Sequence, residues 1–600
     1  MSLRPVLRRF RTVFQRMQLD EAERQSIERT SVHEGKKDPI AENTVVADNE
    51  QGDPNLPQEG LQHGVADVEA VTLTWSKTTL ICVFVNIWFL YFVNAFQSAT
   101  MDSLSAYVAS SFHEHSLSAV PTAMADAFSA AIYLPVGKLM DTWGRAEGFL
   151  LMTTCATLGL ILMAACNSFA IYCAANVFYY IGFGGMSYAV DVITADSSRL
   201  QNRALAYALT SSPYIITAFA GPKVGERFYN EVSWRWGFGC WAIVFPIVAS
   251  PLYFILKFNL RRAEQQGHRI RAANNRTLWQ SICYWVMEFD LFGVIIFTAG
   301  LVVFELPFDI ASTAPEGWAT GYIIAMIVVG FSMIFFFGIY EAYVAPTPLL
   351  NWRLLTNRTV IGACLLDATY QLSYYCWNNY FQSWLQVNNN LTISEAGYIG
   401  HTFDIVSGLL LIGVGFIIRK TGRFKWLLYI SVPLYIFAQG LMIYFRKPNM
   451  SWGYQVMCQI FIAMGGAVFI LVEQLAILAA VDHQHVAAAL GLLNVVGTIG
   501  GSAGKTICTS IWTNTFYKQL QQRLPQSAMP QIDKIYENLP DQVKWKVGSP
   551  ERRAIQDSYA HVEVILLSVG CGIMALAFLW TMLIRNIDLK KVPQVKGTVF

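Results

Sequence analysis

Charge is what this chain has least of. Charged types make up 14% of its 600 residues, against roughly 25% in an average soluble domain. The 43 basic and 41 acidic residues nearly cancel, so no global electrostatic case for nucleic acid as a partner exists. Paired cysteines are missing too. The eleven cysteines are irregularly spaced with no CxxC pair, and most lie inside apolar runs, which reads as small packing residues rather than a disulfide or zinc framework. No signal peptide is expected, because Arg4, Arg8, Arg9, Arg11 and Arg16 interrupt the first apolar stretch. Acidic residues from Asp20 onward spoil a mitochondrial presequence, leaving a basic helix on an anionic leaflet as the reading of this start.

Apolar types, at 54%, are what the chain has instead. A bilayer-spanning helix needs about 20 apolar residues. Fourteen runs approach that length: 79–98, 117–139, 148–166, 169–191, 204–222, 236–256, 288–308, 319–341, 359–384, 396–418, 426–445, 455–479, 486–511 and 562–584. The expected fold is an all-α membrane protein of about 14 transmembrane helices. Lys and Arg crowd one set of short loops (Lys138, Arg145, Arg261, Arg262, Arg269, Arg271, Arg276, Arg419, Lys420, Arg423, Lys425, Lys596), whereas the opposite set carries only Lys223, Arg227, Arg235, Arg446 and Lys447. That asymmetry puts both termini in the cytoplasm.

The chain divides into a disordered tail at 1–75, helices one to six at 76–256, and a basic cytoplasmic loop at 257–287. Helices seven to thirteen follow at 288–511, then a long extracellular loop at 512–561, the last helix at 562–584 and a cytoplasmic tail at 585–600. The outer loop carries Tyr517, Tyr536, Trp545 and Tyr559 among polar residues and prolines. It is either a ligand-contacting lid or a solvated insertion.

The sharpest local pattern follows the second run: Gly137-Lys-Leu-Met-Asp141-Thr-Trp-Gly144-Arg145. It matches the G-x-L-x-D-x-x-G-R loop of the major facilitator superfamily. Glycines allow a tight turn, and Asp141 can pair with Arg145 to latch a rocking half. A weaker copy follows the tenth run, with Arg419, Gly422 and Arg423 but no acid. Two related loops suit an internally repeated transporter, here two six-helix bundles plus two extra helices. Gly221-Pro222-Lys-Val-Gly225 is similar to the G-P-x-x-G of proton-coupled drug antiporters and pulls toward an exporter.

Intramembrane acids are costly and face a cavity, a partner or a proton path. Asp126, Asp367 and Asp404 fall about mid-way through their runs, with Glu473, Glu305 and Asp191 nearer the surfaces. Asp126, Asp367, Asp404 and Glu473 are the proton-coupling candidates. The ninth run sets Asp367, Tyr370, Gln371, Tyr374, Trp377, Asn378, Phe381 and Trp384 at spacings of three and four, on one helical face. Such a stripe suits a bulky, oxygen-rich ligand and equally a packing surface; its aromatic and amide members are the substrate candidates.

Two look-alikes fail on context. Gly500-Gly-Ser-Ala-Gly504 fits a nucleophile elbow without a preceding strand, and Gly504-Lys505-Thr506 lacks the first glycine of a P-loop. Overlapping pairs Gly497/Gly501 and Gly500/Gly504 predict close helix packing. Lys505 can snorkel or neutralise a buried acid. His483 and His485 read as solvated loop residues, and no metal site is expected.

Asp141 to Gly148, Tyr370 to Trp377, Ala480 to Ala487 and Ile511 to Thr515 together resemble the fungal siderophore–iron transporters of the major facilitator superfamily. The resemblance spans roughly 75–590 and implies a proton symporter importing ferric siderophores, with protons and the lipid bilayer as its other partners. Iron would arrive inside its chelator, so no cofactor and no enzymatic activity are implied. The plasma membrane is expected, with endosomal or vacuolar membranes as alternatives. The fourth run lacks the mid-helix Arg of many antiporters, which argues against the exporter. A drug or metabolite exporter on the same scaffold and a non-transporting chelate receptor stay open as alternatives.

Overall fold

A computed structural model describes residues 62–112, 120–267, 277–311, 314–350, 352–448, 450–591 and 599–600. The basic start at 1–61, Arg269, Arg271, Arg276 and Lys596 lie outside the described residues. All regular elements among the described residues are helices.

A short helix α1 (His63–Thr74) precedes the first half, which comprises α2 (Lys77–Ser111), α3 (Val120–Thr142), α4 (Arg145–Ala165), α5 (Phe169–Asp196), α6 (Leu200–Ser211), α7 (Tyr214–Arg227) and α8 (Trp234–Gln265). Next come α9 (Leu278–Glu288), the pair α10 (Leu291–Ile310) and α11 (Gly321–Tyr343), and the single turn α12 (Trp352–Thr356). The second half holds α13 (Arg358–Asn378), α14 (Phe381–Asn389), α15 (Ile393–Gly400), α16 (Thr402–Thr421), α17 (Lys425–Phe445), α18 (Trp452–Ala479) and α19 (Val486–Arg523). Two short helices, α20 (Ile532–Glu537) and α21 (Leu539–Val543), lead to α22 (Pro550–Met574) and α23 (Ala577–Leu583).

Eleven spans among the described residues are long and apolar enough to cross a membrane. The predicted runs 117–139, 204–222 and 359–384 fall outside that set. The second of them is broken between α6 and α7, where Ser212 and Pro213 interrupt the helix, and the third between α13 and α14. Outward faces are apolar, as lipid requires: Phe331, Phe335 and Phe336 of α11 are all exposed. Polar side chains cap the helix starts. Ser168 accepts from the Ile171 amide, and Thr277 and Thr392 form capping boxes with Gln280 and Glu395, satisfying amides that the first turn leaves without partners.

The pair α10–α11 packs on itself and leans on α3, so the two extra helices flank the seam between the halves. Across that seam α19 lies against α3, and α16 against α6 and α7. Within the second half α19 crosses α13 closely. A Cβ at Gly504 would stand 2.5 Å from the Leu372 carbonyl oxygen, and Gly500 leaves still less room against that of Ala368. The pair Gly500/Gly504 is a backbone contact, as its spacing predicted, whereas Gly497 and Gly501 face the Asp367 and Tyr375 side chains.

Three expected segments differ. Residues 63–74, read as part of a disordered tail, form α1, whose Val65, Ala70 and Trp75 side are buried against α3 and α8; this short apolar face was overshadowed by its polar surroundings. The loop 257–287 shrinks, because α8 continues to Gln265 and α9 begins at Leu278. The outer loop 512–561 shrinks to 524–549, since α19 runs on to Arg523 and α22 starts at Pro550. What remains is a folded cap. Arg552, fully buried, donates to the carbonyls of Gln386, Val387 and Gln542 at 2.8–3.0 Å.

Candidate functional site

At one end of the seam the Asp141 loop makes the predicted ion pair and extends it. Gly144 has φ +134°, a conformation side chains rarely adopt, and the turn it allows brings Arg145 back over α3. Arg145 Nη1 donates to Asp141 Oδ1 at 2.5 Å, and its Nε donates to Asp196 Oδ2 at 2.9 Å. All three side chains are buried. Two carboxylates around one guanidinium make a fork that resists opening, because removing a partner would leave an uncompensated buried charge. Asp196, at the end of α5, was not singled out from the sequence.

His483 was expected in solvent, yet its side chain is only 10% exposed and its Nδ1 stands 3.9 Å from Asp196 Oδ1. The loop folds back under α5, which no local pattern signals. Burial pushes its imidazole below the usual range. Beside it the Tyr188 hydroxyl donates to the Ala487 carbonyl at 2.6 Å, joining α5 to the start of α19. The second loop differs from the first. Arg419 and Arg423 are exposed and Gly422, at φ +71°, ends α16, so this copy is a turn without an ionic latch among the described residues.

Toward the opposite end a charged cluster lines the seam. Lys505 of α19 pairs with Asp126 of α3, and its ammonium lies 4.5 Å from the centre of the Tyr375 ring. His401 Nδ1 is 2.7 Å from Asp404 Oδ2. Asp102 of α2 lies within electrostatic reach of His401, Asp404 and Lys505. Its side chain is exposed, unlike the buried Asp126 and Asp367. Asp404 opens α16 and lies near the middle of the apolar span Ile393–Thr421, as expected, and Asp126 lies in the first half of the described part of α3. Asp102, Tyr375 and His401 were missed. Asp102 lay beyond the run drawn at 79–98, and Tyr375 lies off the chosen stripe.

Asp367 and Glu473 lie within interaction range of each other inside the second half, and Gln371 Nε2 donates to Asp367 Oδ1 at 3.3 Å.

The aromatic stripe divides into two functions. Trp377, Phe381 and Trp384 are fully buried and surround the guanidinium of Arg446, with ring centres 5.4, 4.2 and 4.9 Å from its central carbon. These three wall a cation box in this structure; the chain turn at 379–380 rotates Phe381 and Trp384 onto Arg446. Tyr370 is buried against Tyr435 and Phe469. Gln371, Tyr374 and Asn378 remain partly open, with Tyr374 packed beside Phe403, next to Asp404. Of the outer aromatics, Tyr559 is buried and donates to Gln542 Oε1 at 2.7 Å, while Tyr517 donates to Asp533 Oδ1 at 2.9 Å. Tyr536 and Trp545 pack against the same core. These four hold the cap together.

Residues 87–505 match the model of the Major Facilitator Superfamily. The chain is 52% identical over 572 residues to the siderophore iron transporter mirB of Emericella nidulans, covering 94% of this chain and 95% of that protein. It is 51% identical to the MFS siderochrome iron transporter 1 of Gibberella zeae, over 92% of this chain and 91% of the relative. A more distant relative, the siderophore iron transporter 1 of Schizosaccharomyces pombe, is 33% identical over 86% of this chain and 83% of its own length. A crystal structure of a mutant of the peptide transporter POT shares the fold at TM-score 0.51 and 12% identity, over 87% of this chain and 99% of that one. The helical bundle, the Asp141 loop and these full-length likenesses agree: the chain is a multi-pass membrane protein that belongs to the siderophore–iron transporter family of the Major Facilitator Superfamily.

Proposed function

We propose that this protein imports ferric siderophore complexes by proton symport and alternating access. The observation that carries the reading is the combination of near-complete, about 50% identity to named siderophore–iron transporters with a charged cluster on the seam between two helical halves. A ferric chelate presents oxygen atoms and bulky apolar arms. Gln371, Tyr374 and Asn378, together with Tyr375, offer amides, hydroxyls and ring faces to such a ligand. Asp126, Asp404 and the Asp367–Glu473 pair are the groups proposed to take up and pass on protons.

With both termini cytoplasmic and the chain in the plasma membrane, the Asp141 loop faces the cytoplasm and the cap faces outward. Each entering proton then gains about 2.3 kcal/mol per 100 mV of potential, enough to bias uptake of a neutral chelate. Alternating access follows from rocking of the two halves about the seam.

The test is uptake of labelled ferric chelates, hydroxamate and catecholate, in cells lacking other iron importers, with and without a protonophore. Accumulation of one chelate that collapses with the gradient supports symport. Gradient-driven loss of preloaded chelate would favour the exporter, for which Gly221-Pro222 packed against α2 and α15 is the supporting feature. Binding without accumulation would favour a receptor.

A further inference from the structure

The two related loops differ in what surrounds their cations. In the first, Asp141 and Asp196 hold the buried guanidinium of Arg145. The second runs from Arg419 to Lys425 with no acid in it. Arg419, Lys420 and Arg423 are exposed, with no ion pair among the described residues. The tail after α23 adds to this charge instead of cancelling it. Leu589 donates its amide to the Gly422 carbonyl at 2.9 Å, and Lys590 Nζ donates to the Lys420 carbonyl at 2.8 Å. Asp588, the one acid in either segment, accepts the Lys590 amide on its Oδ1 at 3.2 Å. Six cations, Arg419, Lys420, Arg423, Lys425, Lys590 and Lys591, thus gather beside a single carboxylate. The positive-inside bias places cations in a loop. It does not fold a second basic segment back onto the first, where like charges repel unless an anion sits among them.

Depth in the membrane identifies the anion. Trp426 and Tyr429 are exposed on α17, as are Phe416 and Ile417 on α16, so the cations border the lipid-facing surface. Trp426 Nε1 donates to the Arg423 carbonyl at 3.2 Å, and the Lys425 ammonium lies 5.8 Å from the centre of the Tyr429 ring. Indole and phenol rings beside cations mark a membrane–water boundary. We propose that this patch binds the headgroup of an inositol phospholipid carrying several phosphates. A singly charged headgroup would leave most of the six cations facing only each other, whereas several phosphates match them. The guanidinium forks of Arg419 and Arg423 take phosphate oxygens in pairs. Lys590 and Lys591 add point charges, and the acyl chains lie along Trp426 and Tyr429. The orientation proposed above assigns this lipid to the inner leaflet; the site itself does not depend on which substrate the protein carries.

The full chain in detergent is mixed with phosphatidylinositol bisphosphate, phosphatidylserine or phosphatidylcholine, and bound lipid is counted by native mass spectrometry. One inositol lipid per chain is expected, retained at least tenfold better than either of the others. The double variants Arg419→Gln/Arg423→Gln and Lys590→Gln/Lys591→Gln should each lose at least fivefold of that retention. Lys223→Gln/Arg227→Gln, at the opposite end of the bundle, should keep it. Unfolding midpoints without lipid show whether each variant is folded. Retention by wild type should also fall steeply with added salt, a measurement that needs no variant; salt-independent retention would overturn the proposal. Equal retention of phosphatidylserine would reduce the patch to diffuse surface charge and overturn the site, as would unchanged retention in both folded double variants at the patch. Displacement of the lipid by equimolar soluble inositol trisphosphate would overturn the lipid as occupant, because the acyl chains should add to its hold. No chelate is present, so failure here leaves the import reading standing, and failure of chelate uptake leaves this site standing.

Discussion

Arg446 and Glu563 meet at 2.7 Å between Nη1 and Oε2, 117 residues apart in sequence, and neither side chain is exposed. Arg446 also donates to Gln455 Oε1 and sits inside three aromatic rings, tying the end of α17 to α22. Removing one partner of a buried pair costs roughly 3–5 kcal/mol. Arg446→Ala and Glu563→Ala are each expected to lower the unfolding midpoint of the purified protein strongly. The double variant should lose less than the sum of the two, and thermal unfolding of all four proteins checks this cycle.

The two fates of the aromatic stripe separate by kinetics. Trp384→Ala removes a box wall and is expected to cost about 3–5 kcal/mol of stability, lowering the amount of protein at the membrane while leaving KM unchanged. Tyr374→Ala, on the open part of the stripe, should leave the amount unchanged and raise KM for the ferric chelate several-fold. Transport rates normalised to surface protein distinguish them; a KM shift in Trp384→Ala equal to that of Tyr374→Ala would contradict the division.

Gly500 allows α19 to touch the α13 backbone at Ala368. Gly500→Val is expected to destabilise by about 1–3 kcal/mol through overpacking, and to separate the two helices so that Lys505 no longer sits over Tyr375. Gly501→Ala, whose Cβ would meet side chains alone, the nearest being the edge of the Tyr375 ring at 3.2 Å, should be milder. Comparative unfolding midpoints report the order.

His483 gives a pH dependence with a definite sign. Burial lowers its pKa in the folded protein, so the unfolded chain binds more protons below about pH 6.5. Stability from this group is therefore full above that pH and is lost as the pH falls toward the depressed folded value. His483→Gln should flatten the fall in unfolding midpoint between pH 7 and 5. An unchanged slope would mean that the imidazole is not buried neutral beside Asp196.

Apolar run length sufficed for the membrane-spanning architecture, because lipid imposes its requirement on each segment separately. The Asp141–Arg145 pair was legible for a related reason: the two residues lie four apart around a glycine turn, so local geometry brings them together. Helix spacing also placed Gly500 and Gly504 on one face, and the crossing with α13 follows. The cation box was not legible. Spacing put Trp377, Phe381 and Trp384 on a stripe, but only Arg446, arriving from another helix, made that stripe a packing surface. The cap was hidden for the same reason, since Arg552 is satisfied by carbonyls about 165 residues away.

The sequence by itself determined the solvent this protein lives in, the repeated transporter architecture and the family, since hydropathy and short motifs are properties of contiguous residues. Only the tertiary structure decided which charges share the seam. Lys505 meets Asp126, and Asp102 comes within electrostatic reach of His401 and Asp404, through the packing of helices from opposite halves. A side chain's own periodicity specifies its face and says nothing about what stands across from it.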